Sequence, residues 1–190
     1  MIVPFMTRAC RKHPWLLVMA CFLAIASDVR AQPSKEYQLK AAFLYNFAKF
    51  VEWPARSFAS PESPFVIGVY RADSFGGELE KAVKGRKIGG HPIVVSLVPS
   101  AAAARQTQIL FVGAAQDGKL AELKGALQGS PVLTVGESPA FAKQGGMITF
   151  ALKDNSLRFT IDNGSAEKAG VKISSQLRKL AQRQEGGTKP

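Results

Sequence analysis

Apolar positions recur first at helical spacing and later in short unbroken runs. Over residues 35–54, at about 100° per residue, Tyr37, Leu39, Ala41, Phe43, Leu44, Phe47, Ala48, Phe50 and Val51 fall within an arc of roughly 200°. The pattern predicts a helix over residues 36–53, stopped by Pro54, which pushes the residue before it out of the helical region. Gln38, Asn46, Lys49 and Glu52 share the one narrow wet strip. An apolar face about twice as wide as that of an ordinary surface helix needs cover on several sides. The helix therefore belongs to the core or to a protein contact, and Phe43, Phe47, Phe50 and Trp53 form the face offered to a second copy of the chain.

Downstream the period changes. Residues 65–70 form a continuous apolar run of strand length, suited to a strand covered on both faces. Asp73 and Ser74 can cap a helix over residues 75–84 that turns Phe75, Leu79, Ala82 and Val83 to one side. Further strands are predicted over residues 93–98, 108–113 and 131–135, and a helix over 119–127. Ser138-Pro139 has the form of a cap with proline at the first helical position, opening a short helix through Phe141. Residues 146–153 and 156–162 flank Asp154-Asn155, a pair suited to a two-residue hairpin turn. Asn163 then caps a helix through Ala169, and Ile173, Leu177 and Leu180 mark a last amphipathic helix. Strands alternating with helices predict an α/β fold. It is a single layered domain with a mixed, largely parallel sheet flanked by helices and a C-terminal antiparallel hairpin at a sheet edge.

Charge and the first residues bear on location. Arg8, Arg11 and Lys12 precede an apolar run from Trp15 to Ala26, and Val29-Arg30-Ala31 supplies small residues at a cleavage position. This predicts a signal peptide over residues 1–31, cut after Ala31, a domain over 32–184 and a flexible tail over 185–190. The apolar run is short of the ~18–20 residues that span a bilayer, so no transmembrane anchor is expected in the mature chain. Cys21 weakly matches a lipoprotein processing site, a variant of the same export. Lys and Arg number 25 against 14 Asp and Glu. For a periplasmic protein such a balance points to an anionic membrane surface or an acidic protein face, with no nucleic acid as partner.

The inventory of chemical groups is sparse. Cys10 and Cys21 both lie in the segment expected to be removed, which leaves no thiol nucleophile and no disulfide. His91 is the one histidine past that segment, without a Gly-x-Ser-x-Gly elbow or a Glu-x-x-His pairing, so neither a hydrolytic relay nor a metal site is expected. No cofactor motif stands out: the glycines of residues 85–90 follow a predicted helix, where a phosphate loop would follow a strand. Lys84, Arg86 and Lys87 form a basic cluster that can meet an acidic partner. Asp73, Ser74 and Glu137 follow predicted strands, where open α/β sheets gather ligands, and are the candidate small-molecule site.

Several blocks occur together in a set order: Lys49-Phe50-Val51-Glu52-Trp53-Pro54, Ile67-Gly68-Val69-Tyr70 followed by Asp73-Ser74-Phe75-Gly76, Ile109-Leu110-Phe111-Val112-Gly113, and Leu133-Thr134-Val135-Gly136. With Phe141, Gly145-Gly146-Met147-Ile148 and the closing Val171-Lys172-Ile173-Ser174-Ser175-Gln176-Leu177, they resemble the YfiR family of exported bacterial proteins over residues 37–181. The resemblance implies a periplasmic, self-associating, non-catalytic regulator. It would bind the periplasmic sensor domain of a membrane-bound diguanylate cyclase and repress it, lowering cyclic-di-GMP signalling and biofilm formation. Some members carry disulfides that adjust activity, and that property is not carried over to a chain without mature cysteines. A periplasmic small-molecule-binding module is the alternative, and a hydrolase resting on His91 is a third reading.

Overall fold

The computed structural model describes residues 35–186, so the expected signal peptide, its cut and the end of the tail lie outside the described residues. The chain opens with helix α1 (Lys35–Phe50), followed at once by the two-residue strand β1 (Val51–Glu52). The helix thus ends before Trp53, three residues short of the expectation, and Pro54 is not what stops it. Val51 and Glu52 pair antiparallel with Ile173 and Lys172, and the Ser174 amide donates to the Phe50 carbonyl at 2.9 Å. A distant segment therefore takes up one of the carbonyls left open at the helix end and draws the β-branched Val51 into extended backbone.

The main sheet is built from β2 (Phe65–Tyr70), β3 (Lys87–Ile88), β4 (His91–Val98), β5 (Ile109–Val112), β6 (Leu133–Gly136), β7 (Ile148–Lys153) and β8 (Ser156–Ile161). Their order is β3-β4-β2-β5-β6-β7-β8. β4, β2, β5, β6 and β7 run parallel, while β3 and β8 pair antiparallel at the two ends. The layered, mostly parallel α/β architecture and the edge hairpin read from the sequence are those observed. Asp154 and Asn155 take the left-handed conformation at φ 50° and 57°, the geometry that closes a two-residue hairpin. Taken in chain order the five parallel strands stand 2-1-3-4-5, so the winding reverses between β2 and β5.

Helix α2 (Glu78–Val83) lies against α1, and α3 (Leu120–Leu127) and α4 (Pro139–Lys143) cover the opposite face. β2 separates the two cores: Phe65, Ile67 and Val69 join the cluster under α1, while Tyr70 joins the one under α3 and α4. Its unbroken apolar run follows from that double cover. α2 starts three residues later than expected, because Asp73 Oδ1 accepts from the Phe75 and Gly76 amides and Gly76 and Gly77 take positive φ, holding a turn there. α5 (Asn163–Lys168) is capped by Asp162, one residue ahead of the expected Asn163. Ile173 belongs to β9 (Lys172–Ile173), and only then does α6 (Ser175–Gly186) begin.

Candidate functional site

The loops that leave β2, β5 and β6 meet at the reversal point, and the first turns of α1 fill the space between them. Glu137, directly after β6, accepts from the Tyr37 hydroxyl at 3.1 Å, the Ala114 amide at 3.0 Å and Lys40 Nζ at 2.5 Å. Lys40 also pairs with Glu36 one turn back and lies 4.4 Å from the centre of the Tyr37 ring. That ring stands edge-on to Phe75 at 5.3 Å, so an apolar wall backs the polar cluster. Lys40 is only 3% exposed. A lysine so enclosed persists because two carboxylates and an aromatic face replace its water.

The three residues expected to hold a small molecule divide here. A Cβ on Gly113 would stand 3.4 Å from Ser74 Oγ and 3.5 Å from Glu137 Oε1, so those two flank the same bare backbone. Asp73 faces its own turn, and Glu137 is taken by Lys40, Tyr37 and Ala114. The crevice where α/β sheets bind ligands is occupied by the chain's own helix. Tyr37 and Lys40 were absent from the sequence-based candidates, although a signal exists. Lys40 stands in one stripe about 120° wide with Tyr37, Ala41, Leu44, Phe47, Ala48 and Val51, and a lysine in such a stripe needs a buried acid.

Burial, then the Glu137 charge, raises the Tyr37 pKa above its ordinary value. Burial pushes Lys40 down, but the hydrogen bonds it donates to Glu137 and Glu36 outweigh that, and the net shift is upward. Both groups hold their protons to higher pH in the folded state than in the unfolded chain. The stabilisation is therefore complete below about pH 10 and is lost as pH rises through the raised folded values. We expect the urea midpoint to fall more steeply above about pH 10 in the wild type than in Tyr37→Phe/Lys40→Met. Parallel falls in the two proteins would refute the coupling.

A second candidate lies on the surface. Lys84, Arg86 and Lys87 are exposed and form no ion pair among the described residues. The Arg86 guanidinium lies 4.2 Å from the centre of the Tyr45 ring, and Lys49 Nζ lies 5.2 Å from it and 5.9 Å from Phe50. The expected basic cluster thus continues across α1 as a patch of cations over half-buried aromatic rings, and Phe50 belongs to it. The other aromatics of the expected self-contact face turn inward. Phe47 packs on Phe150 and Phe159, Phe43 joins the same cluster, and Trp53 stands edge-on to Phe65 while its Nε1 donates to the Gln108 carbonyl at 3.0 Å.

His91 stacks on Phe58 at 3.9 Å, and its Nδ1 donates to the Ser63 carbonyl at 2.6 Å, which ties the loop after β1 to β4. Among the described residues no group of three or more His, Cys, Asp or Glu could hold a metal ion, and no helix is long and apolar enough to cross a membrane. No curated protein sequence matches the chain. A family model described as YfiR/HmsC-like matches residues 37–182.

Proposed function

The chain belongs to the YfiR/HmsC-like family, and from that membership we propose that it is a periplasmic regulator that docks on the periplasmic sensor domain of a membrane-bound diguanylate cyclase and holds the enzyme off. The family match over residues 37–182 carries the reading. Regulation of this kind needs no reactive group in the regulator. Preferential binding to the inactive partner suffices, and a difference of about 5.5 kcal/mol between the two states takes a partner from almost fully on to almost fully off.

We assign partner contact to Lys84, Arg86 and Lys87, joined by Tyr45 and Lys49. Exposed cations that form no ion pair among the described residues are free to meet an acidic face, and the Tyr45 ring holds Arg86 and Lys49 in place. Self-association, export through residues 1–31 and the absence of catalysis belong to the same proposal. The test is binding of the mature chain to the purified periplasmic domain of a membrane diguanylate cyclase from the same bacterium. Lys84→Glu/Arg86→Glu/Lys87→Glu should weaken binding about tenfold or more at low salt, and the gap should narrow as salt screens the charges. Undiminished affinity in the triple variant would remove the patch, and absence of binding by the wild type would remove the partner.

A further inference from the structure

On the face of the sheet opposite α1, a cleft of about 810 Å³ opens between α3, the turn after α4 and the end of α5. Its floor is the ring of Phe141, seated on bare backbone: a Cβ at Gly136 or Gly146 would stand 2.4 or 2.0 Å from that ring. Leu123, Leu127 and Met147 supply further apolar lining. The mouth is different. Lys124 of α3 and Lys168 of α5 line it, and neither forms an ion pair among the described residues. A Cβ on Gly145 would meet Ser165 Oγ at 3.4 Å and Lys124 Nζ at 3.9 Å, so the ammonium and the hydroxyl lie on either side of an uncovered stretch of chain. Gly145 has φ 88°, which disfavours any side chain there and keeps that stretch bare. The nearby carboxylate of Asp162 is engaged, one oxygen by the Ser165 amide and the other by the Ser165 hydroxyl.

We propose that this cleft binds a small amphipathic carboxylate, its apolar body on Phe141 and the leucines and its anionic head between Lys124 and Lys168. The volume falls within the range of small-molecule sites, and an apolar interior with a few convergent polar groups at one end fixes the orientation of such a ligand. Two cations against one carboxylate, that of Asp162, which lies within electrostatic reach of Lys168 and is held by Ser165, leave the mouth net positive and favour an anion. They disfavour a neutral amphiphile of the same length and reject a cationic one. The site is separate from the filled crevice at Glu137 and from the basic patch on α1, and it requires no cyclase.

Titration calorimetry of the purified chain with decanoate, below the concentration at which decanoate forms micelles, tests the assignment, with decanol and decylammonium as controls. Saturable one-to-one binding of decanoate is expected, with both controls weaker. Lys124→Met/Lys168→Met should weaken decanoate about tenfold or more, the loss expected for a charge-assisted contact, and leave decanol unchanged. Both lysine substitutions lie at the cleft mouth, away from the buried core, and a circular dichroism melt that matches the wild type confirms the fold of the variant. No saturable decanoate binding, equal binding of the three amphiphiles, or decanoate affinity unmoved by the double substitution would each overturn the proposal. A failed cyclase experiment would leave this one standing, and the reverse holds too.

Discussion

Lys40→Met should cost the fold about 3–5 kcal/mol, the loss typical when one partner of a buried ion pair is removed. The substitution keeps length and apolar contact but takes away the cation between Glu36 and Glu137. The mostly buried Glu137 carboxylate would then be left without its cation beside the Tyr37 ring, with the part-exposed Glu36 carboxylate close by. Glu137 would keep only the Tyr37 hydroxyl and the Ala114 amide. Urea denaturation followed by circular dichroism checks the figure, and a loss below about 1 kcal/mol would show that Lys40 reaches water in solution. A second substitution separates desolvation from packing. Adding Glu137→Leu should restore part of the loss, since replacing both members of a buried pair by apolar groups is often neutral. The first turns of α1 are fixed to the sheet through this contact, so the single variant should also raise hydrogen exchange at Ala114, whose amide shares the same carboxylate.

That cluster marks where sequence reasoning stopped. The apolar arc of α1 was legible but its centre was not. Leu39 lies at the edge of the arc and is 45% exposed, whereas Lys40, a charged residue, stands at the centre of the arc and within the buried stripe. Periodicity weighs a lysine as polar and has no means of registering an acid almost a hundred residues later that would neutralise it. The same limit explains β1. Pairing of Val51 with Ile173 depends on a contact between the two ends of the described chain, and nothing local in Val51-Glu52 announces it.

Features governed by neighbouring residues were read correctly. The run over residues 65–70 became β2, Ser138-Pro139 opened α4, and Asp154-Asn155 closed the hairpin. Each depends on backbone preference or on a cap one turn away. The candidate ligand residues show both cases at once. Ser74 and Glu137, placed after strands by the sequence, flank Gly113 together, but nothing in the sequence announced that the start of α1 would meet Glu137 there. The cleft under α3 left no readable trace, since it depends on where three short helices come to rest over the sheet.

Phe47→Ala should destabilise the fold by about 3–5 kcal/mol without altering how the unfolding midpoint depends on protein concentration. The side chain is 0% exposed, stacks on Phe150 at a centroid distance of 5.7 Å and meets Phe159 edge-on at 5.0 Å. Truncation would open a cavity among rings anchored on α1, β7 and β8, three elements that cannot close on it together. A self-contact face makes the opposite prediction. If Phe47 met a second copy, its loss would leave the monomer near full stability, shift sedimentation towards the smaller species and abolish the concentration dependence of the midpoint that the wild-type assembly would show. Phe50 discriminates further, because it is half-buried and borders Lys49 on the patch assigned to the partner. Phe50→Ala should lose less stability than Phe47→Ala but more affinity for the cyclase domain. Equal stability losses in the two variants, with partner affinity unchanged, would place the whole aromatic face of α1 in the core and confine recognition to the cations around it.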